Sequence, residues 1–469
     1  MISGLKMGTA TIAVLSVLGL GAMPAAAADL GGDCCADLEE RIAELEATTA
    51  RKGNRKVKLE ISGHVNEALI FWDDGQESNV GVYTNDNSRT RFRFRGSATI
   101  ADGWKAGYLL EIGVRSARSN RFNQNLPSAA ASDNGLDVRH SAWYIESKNY
   151  GTLWLGRTGP AGESITEINL ANTKDVAKYS DVEDSGLGLL VRSSGGELTN
   201  TQFRRGISDS GDQPGETERG QIVKYVTPEF EGFTGTAAWG ADDYWDIGLN
   251  YKGEFGGFKL AAGISYGQDK TEDGTAQIGN CNNSRAGSPS GVSGAPPVDV
   301  SALGVDCDLL GGSISIMHED TGLYGNFAAG MTQDENASVL FNNTGDDESS
   351  FYAFEAGIER KFMPLGKTTI FGQYYTADQG SLNRTLGSTA GSGDGISAAQ
   401  ASAGILSSEL DVYGGGVVQE LSAASMLLYV YYRHVEADFD LVTTGGGVAV
   451  PSPGYDDLDL VVAGGIIRF

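Results

Sequence analysis

The sequence predicts an all-β chain, a 16-stranded antiparallel β-barrel that spans a membrane. Three observations lead to this prediction. The 469 residues include 66 Gly but only 11 Pro, a composition that favours many strands and turns over a Pro-rich disordered chain. Apolar and polar residues alternate with a period of two in segments of about ten residues, the length of a tilted strand that crosses a bilayer. The connections between these segments mostly alternate between long and short, as in a transmembrane barrel.

The first 28 residues predict a secretory signal peptide. Lys6 stands in a short start, an apolar run covers residues 10–23, and small residues suited to cleavage follow up to Ala28. Cleavage there removes one of the 35 basic side chains and none of the 61 acidic ones, which leaves a net charge of −27. A chain of this charge repels nucleic acid, so no nucleic-acid partner is expected. No later segment has the roughly 18 consecutive apolar residues of a membrane-spanning helix, so an exported chain could enter a membrane only as a closed barrel.

Residues 29–55 predict a short helical, coiled-coil-like leader. Leu38, Ile42 and Leu45 recur at helical spacing between charged residues. About two heptads are marginally stable alone, so a flexible leader and a trimerising or envelope-contacting stub both remain open. Adjacent Cys34 and Cys35 cannot readily bridge each other, which leaves pairing between chains. The predicted barrel domain covers residues 56–469.

Alternation defines sixteen predicted strands in this domain. As one example, Trp104, Ala106 and Tyr108 alternate with Lys105 and Gly107. The predicted strands are 57–73, 88–100, 104–116, 137–147, 151–158, 219–228, 232–241, 243–252, 257–267, 311–318, 322–333, 350–360, 367–377, 408–419, 425–437 and 456–469.

The predicted connections sort by length onto the two ends of the barrel. Short turns are expected on the periplasmic side, together with both ends of the barrel domain, because the strand count is even. One outer connection, at 241–242, is also short. The long connections are 74–87, 117–136, 159–218, 268–310, 334–349, 378–407 and 438–455.

One predicted strand has an arginine at every second position: Arg89, Arg91, Arg93 and Arg95. An arginine that faces lipid near the middle of the bilayer costs about 2–4 kcal/mol. We therefore expect these side chains to face a water-filled lumen, where they form a basic wall of the pore constriction. The alternative is that they only bind acidic residues of the outer loops.

Residues that could carry catalysis or bind a metal form no coherent set. The pattern GISYG around Ser265 fits a nucleophile elbow, but it continues an alternating strand instead of a strand-turn-helix unit. No cofactor and no metal site are predicted, since the four histidines are widely spaced. They are His64, His140, His318 and His434.

Two cysteines flank the Gly/Ser/Pro-rich part of the connection 268–310. Cys281 and Cys307 are candidates for a disulfide that staples this loop in an oxidising envelope. Two independent thiols are the alternative. Asp33 stands directly before Cys34, which departs from a lipoprotein signal.

The longest predicted connection, 159–218, contains Glu163, Glu167 and Asp175. A connection of this length usually has a function or folds onto another part of the protein. Folded into the lumen, it would narrow the channel and set these three acids opposite the arginines. An ordinary surface loop is the alternative.

Several stretches resemble trimeric general porins of alphaproteobacteria. YGTLWLGR at 150–157 resembles the strand before the porin constriction loop, and VKYVTPEFEGFTGTAAWG at 223–240 resembles the repeat after it. The stretch 29–75, which begins with the leader, resembles the start of these porins. The end, DLDLVVAGGIIRF, closes with Phe469, as in the assembly signature of outer-membrane barrels.

The resemblance implies a sixteen-stranded homotrimeric barrel whose third loop folds inward as a constriction. It also implies passive diffusion of small hydrophilic solutes and ions across the outer membrane. The implied partners are outer-membrane lipid and lipopolysaccharide, and the barrel assembly machinery through the C-terminal strand. An outer-membrane barrel enzyme of the lipase or protease type and an adhesin or structural barrel are the alternative functions.

Overall fold

A computed structural model of the protein describes residues 57–128, 135–207, 213–241, 243–270, 305–388, 395–445 and 447–469. The predicted signal peptide, the helical leader and Cys281 lie outside these residues. The described chain forms one closed antiparallel barrel with sixteen strand positions. In it, the first strand (Lys58–Asp73) pairs with the last strand (Leu458–Arg468) from His64–Arg468 to Asp73–Asp459, and this pairing closes the wall.

All sixteen predicted strands are confirmed. The wall consists of seventeen strands in sixteen positions, because β2 and β3 share one position. The wall strands are β1 (Lys58–Asp73), β2 (Ser78–Thr84), β3 (Arg91–Ala101), β4 (Trp104–Arg115), β5 (Gly135–Ser147), β6 (Gly151–Thr158), β9 (Gly220–Val226), β10 (Phe233–Gly240), β11 (Trp245–Phe255), β12 (Phe258–Asp269), β13 (Cys307–His318), β14 (Leu323–Asp334), β15 (Glu348–Met363), β16 (Gly366–Gln379), β18 (Gly404–Leu421), β19 (Met426–Val442) and β21 (Leu458–Arg468). Shorter strands are β7 (Leu190–Arg192), β8 (Leu198–Gln202), β17 (Leu382–Thr385) and β20 (Ala449–Val450). The helical segments are α-helical at Leu340–Asn343 and Ala398–Ala401, and 3₁₀ at Asp86–Ser88, Asn172–Asp175, Val182–Asp184, Phe203–Gly206, Glu335–Val339 and Ser422–Ala424.

The predicted boundary between connection 74–87 and strand 88–100 is wrong. Both β2 and β3 pair with β1 and together fill the second strand position of the barrel. In this pairing Thr84 lies opposite Glu67 and Arg91 opposite His64, so two residues of β1 face six residues, 85–90. Residues 85–90 therefore form an insertion within the wall, which we call the strand insertion. Its sequence NDNSRT is polar and rich in turn-forming residues, which is why it reads as the end of a loop.

The connection between β6 and β9 comprises residues 159–219, and its described parts, 159–207 and 213–219, lie inside the barrel. We call it the pore loop. Its backbone and side chains bind inward-facing residues of strands all around the wall. The contacts are Gly162 N to Asp246 Oδ2 of β11 (2.8 Å), Ile168 N to Ser313 Oγ of β13 (3.1 Å), Asn172 N to Glu359 Oε2 of β15 (2.8 Å) and Arg468 of β21 to Asp175 (2.6 Å).

Apolar packing fills one side of the barrel interior. Strands β14–β21 and β1 turn buried apolar side chains inward, and apolar residues of the pore loop pack against them in one cluster. The pore-loop members include Val176, Tyr179, Val182, Leu187, Leu189 and Phe203. The wall members include Ile70, Trp72, Phe351, Tyr375, Leu410, Tyr431, Val435 and Leu460. Water is thereby excluded from this side, and most charged residues of the described part of the loop face the other side.

The hairpin β7–β8 of the pore loop connects to the outer loops. Arg192 on β7 donates to Asp74 (2.9 Å) and Glu77 (3.0 Å) in the turn between β1 and β2. Ser194 N donates to Gly454 O at 3.0 Å, so the hairpin is also bound to the connection before β21. The pore loop thus extends from the inside of the barrel wall to the outer end of the barrel.

The outer face of the wall carries aromatic residues at both ends, as expected for a barrel embedded in a bilayer. At the short-turn end these include Trp104, Tyr150, Phe230, Phe255, Phe362 and Phe469. At the long-loop end they include Trp239, Trp245, Tyr266, Tyr374, Tyr413 and Tyr432. Among the helices of the described residues, none has the length and apolar character needed to span a membrane. Ser265 lies buried within β12 and pairs with Gly248, so GISYG continues as a strand there.

Candidate pore constriction

A cavity of about 400 Å³ lies between the pore loop and the wall strands β3–β5. All 23 residues that line it are polar, and they include nine basic and nine acidic side chains. The basic residues are Arg89, Arg91, Arg118, Arg121, Arg139, Lys174, Lys178, Arg204 and Arg219. The acidic residues are Asp86, Glu163, Glu167, Asp175, Asp181, Glu183, Asp184, Glu216 and Glu218.

The structure brings most of the sequence-predicted site residues to this cavity. Five of the seven line it, and the other two do not. Those that line it are Arg89, Arg91, Glu163, Glu167 and Asp175, and those that do not are Arg93 and Arg95.

The strand register gives the orientation of the arginines on β3. Arg91, Arg93 and Arg95 share a face with their β1 partners, and this face continues into the buried inner positions of β1 such as Asn66. The opposite, outward face carries Phe92 and Phe94, whose rings meet edge to face at 5.8 Å. Arg89 precedes β3 and belongs to the strand insertion, so the four arginines do not form one regular ladder.

Glu111 on β4 is the shared counter-charge of the arginine wall. It is fully buried and accepts from Arg91 (3.3 Å), Arg93 (2.7 Å) and Arg139 (2.9 Å). Its position in LLEIGVR gives a weak signal, an acid within a mostly apolar strand. The sequence does not reveal that β3 and β5, which flank β4, bring three guanidinium groups to it.

Arg89 is neutralised by acids close to it. Its guanidinium donates to Asp86 at 2.7 Å and Asp137 at 3.1 Å. Asp86 also accepts from Arg118 at 2.9 Å. The strand insertion therefore supplies an acid as well as a base to the constriction.

The three predicted loop acids bind cations other than the four predicted arginines. Glu163 binds Arg219 of the pore loop, Glu167 binds Lys178 at 2.8 Å, and Asp175 binds Arg468 at 2.6 Å. Members of both charged sets thus line one cavity, but none of these direct ion pairs joins a predicted loop acid to a predicted arginine. A transverse field across the cavity would come from the residual, unequal charges on the two sides.

Lys178 lies at the centre of the acidic side of the cavity. Its ammonium group binds Glu167 and Asp181. Carboxylate oxygens of Asp181, Glu183 and Asp184 lie within 4.8 Å of one another beside it. Although burial favours the neutral amine, Asp181 and Glu167 hold the pKa of Lys178 well above its usual value.

Two of these acids have a raised pKa. Burial raises the pKa of Glu167 to about 7, with Asp181 adding to the effect and Lys178 opposing it. Burial, Asp181 and Asp86 raise the pKa of Asp184 to about 8. Both carboxyl groups therefore change charge near neutral pH.

The backbone of this part of the pore loop is bound on both sides. Arg433 of β19, which is fully buried, donates to the carbonyls of Val182 (3.0 Å) and Lys178 (2.6 Å). On the other side, Lys178 N donates to Asn87 Oδ1 at 2.8 Å, and Asn85 donates to Val176 O at 3.1 Å. Sequence reasoning missed Arg433, because an arginine in a strand of tyrosines and valines reads equally well as lipid-boundary or lumen-facing.

The remaining predicted residues lie away from the cavity. Cys307 at the start of β13 is disulfide-bonded, while Cys281 lies outside the described residues, so their pairing stays a prediction. Phe469 exchanges two backbone hydrogen bonds with Gly63 of β1, each at 3.0 Å. A side chain at Gly63 would collide with the Phe469 ring, since an added Cβ would lie 2.7 Å from it.

Comparison with known proteins places this chain in a family. A family model described as Gram-negative porin matches residues 10–440. The chain belongs to the Gram-negative porin family. As a porin it resides in the outer membrane, and the predicted family and location are confirmed. A curated relative, outer membrane porin protein 32 of Delftia acidovorans, is 22% identical over 239 residues, which are 49% of this chain and 59% of the relative.

Three solved structures are similar to this chain with TM-scores below 0.5. OmpT of Vibrio cholerae has a TM-score of 0.48 at 12% identity, with 89% of this chain and 99% of that chain covered. The outer membrane channel DcaP of Acinetobacter baumannii has a TM-score of 0.47 at 12% identity, with 89% and 99% covered. OmpF of Salmonella typhi, in a complex with daunomycin, has a TM-score of 0.44 at 14% identity, with 88% and 98% covered.

Proposed function

We propose that this porin is a passive diffusion channel for small hydrophilic solutes and ions, and not an envelope enzyme or an adhesin. The observation that carries the proposal is the cavity of about 400 Å³ whose 23 lining residues are all polar. A lining of this kind suits hydrated solutes and offers nothing to an apolar one. The volume lies near the lower end of the range for small-molecule sites, so the passage is narrow.

The proposed constriction has Arg89 and Arg91 on its wall side and Glu163, Glu167 and Asp175 on its loop side. Arg93 does not line the cavity and affects it only through Glu111, which it shares with Arg91. Arg95 lies outside the cavity. Polar solutes are oriented by the unequal charges on the two sides, and apolar solutes of the same size are slowed. Because nine basic and nine acidic residues line the cavity, we expect weak selectivity between small cations and anions.

Planar-bilayer recording of the purified protein tests the proposal. We expect stepwise, long-lived conductance from the wild-type protein. Arg91→Gln should shift the zero-current potential in a salt gradient toward cations, and the shift should shrink near 1 M salt, where the screening length is about 3 Å. Arg95→Gln is the matched control, because Arg95 lies on the same face of β3 but does not line the cavity.

Two outcomes would contradict the channel. Wild-type protein that is folded but gives no conductance would favour an enzyme or an adhesin. An unchanged zero-current potential of the Arg91→Gln variant at 0.1 M salt would show that this arginine does not lie in the ion path.

The proposed assembly is a homotrimer in contact with outer-membrane lipid and lipopolysaccharide. Support comes from the outward face of β2–β5, where large apolar side chains such as Val82, Leu136 and Trp143 are exposed in the single chain. Chemical cross-linking in native membranes should give a trimer band, and a monomer band alone would contradict the assembly.

A further inference from the structure

We propose that Lys178 limits the cation selectivity of the constriction, because its ammonium group occupies, as a tethered cation, the place among the loop carboxylates that a permeating cation would otherwise take. The inference rests on the proposed channel function and goes beyond it, since it gives a selectivity-determining role to a residue that the sequence pattern does not single out.

The contacts of Lys178 are those of a bound cation. Its Nζ lies 2.8 Å from Glu167 Oε2 and also binds Asp181. The exposed fractions of the three side chains are 15%, 17% and 7%, so they lie largely out of bulk water but at the cavity surface. Carboxylate oxygens of Glu183 and Asp184 lie within 4.8 Å of one of Asp181, so four carboxylates are grouped on this side of the cavity.

The same carboxylates have the arrangement that a small cation requires. Oxygens of Asp181, Glu183 and Asp184 approach within 4.8 Å of one another. Carboxylate oxygens are the ligands that Ca²⁺ takes in proteins. With Lys178 in place, one of these charges is already neutralised at the point where the group opens to the cavity. Without Lys178, the group would attract cations from the channel.

The position of the carboxylates does not depend on the Lys178 side chain. Asn87 holds the Lys178 amide at 2.8 Å, and Arg433 holds its carbonyl at 2.6 Å. The next residue, Tyr179, is buried in the apolar cluster. A change of the side chain alone therefore removes a charge and leaves the backbone bound.

The experiment compares Lys178→Met with two controls in planar bilayers. Lys178→Met should raise the cation-to-anion permeability ratio at 0.1 M salt by about five-fold or more, because the lost charge lies within contact distance of a passing ion. About millimolar Ca²⁺ should reduce its conductance. Lys178→Arg keeps the charge and should behave as wild type. Lys174→Met removes another lysine that lines the cavity but has no carboxylate within 4 Å among the described residues.

Three outcomes would overturn the inference. One is an unchanged permeability ratio in a conducting Lys178→Met channel, and another is an equal shift in Lys174→Met. If Lys178→Met does not assemble, Asp181→Asn decides, since loss of this carboxylate should leave Lys178 in excess and shift the ratio toward anions; no shift would then overturn it. Failure of the proposed function is distinct, because wild-type protein would then not conduct.

Discussion

Replacement of Glu111 by Gln tests the arginine wall most directly. Glu111 is fully buried and is bound by Arg91, Arg93 and Arg139. Gln has nearly the same shape, so the change removes one negative charge and little volume. Three guanidinium groups then share a site without their common counter-charge. We expect a less stable barrel and a channel that favours anions more.

The loss of stability follows from the burial of the partners. Removal of one member of a buried ion pair costs about 3–5 kcal/mol, because the other charge stays buried and unpaired. Arg91 and Arg139 have exposed side-chain fractions of only 15% and 11%, whereas Arg93 has 37%. Water can therefore solvate the Arg93 guanidinium when Glu111 is lost. We therefore expect a loss of about 2–3 kcal/mol in the free energy of unfolding, below the full cost of a buried pair.

The change in selectivity follows from Coulomb's law. An ion that touches the far side of a bound guanidinium lies about 7 Å from the Glu111 carboxylate, where one unit charge contributes about 0.6 kcal/mol in water. Loss of this charge favours an anion and disfavours a cation by that amount. The two effects together change the anion-to-cation permeability ratio by about seven-fold at low salt.

Urea unfolding in detergent micelles and the zero-current potential in a salt gradient measure the two effects. Glu60→Gln is the matched control. Glu60 lies opposite Arg95 on the same inner face, is exposed, and forms no ion pair with any described residue. This control should change stability by no more than about 0.5 kcal/mol. A Glu111→Gln variant with the wild-type unfolding midpoint and potential would refute the role of Glu111 as shared counter-charge.

Three further predictions concern closure, the outer loop and pH. Removal of Phe469 should impair assembly, because it deletes both hydrogen bonds to Gly63; normal heat-modifiable oligomers would count against it. Mass spectrometry of non-reduced peptides should find Cys281 linked to Cys307, and free thiols at both positions would disprove the staple. As pH rises from 6 to 9, ionisation of Glu167 and Asp184, with pKa values of about 7 and about 8, should shift the zero-current potential toward cations, and Asp184→Asn should reduce the shift. Over this range the free energy of unfolding should fall, since these raised pKa values mean that the folded chain binds more protons than the unfolded chain.

The barrel could be predicted from the sequence because its signal is repeated sixteen times. Each strand supplies an alternation of period two, and the loop lengths distinguish the periplasmic end of the barrel from the outer end. An error at one strand therefore does not change the predicted architecture. The strand insertion shows where this reasoning fails. Between β2 and β3 the chain has four more residues than the stretch of β1 that it faces. Such an insertion is visible only in the pairing with β1, and the sequence of one strand does not specify its register against the next.

The candidate site was predictable only in part for the same reason. Arg91 and Glu167 stand out through a charge pattern along the chain, and both line the cavity. Glu111 and Arg433 have no such pattern. Their roles come from strands and loops that are far apart in sequence, as when Arg433 binds the carbonyl of Val182. The local sequence around each residue carries no information about such a partner.

The apolar inner faces of β14–β21 explain the length of the pore loop. A short loop could not cover residues such as Tyr375, Tyr431 and Val435, and their exposure to lumen water would cost about 25 cal/mol for each Å² of apolar surface. The loop buries them with apolar residues of its own and, where it is described, carries most of its charged residues on the opposite side. Packing thus confines the water-filled path to the side of β3–β5. The selectivity of the channel is then decided among the charged residues of that path, where nine basic residues balance nine acidic ones and Lys178 neutralises the carboxylates of the loop.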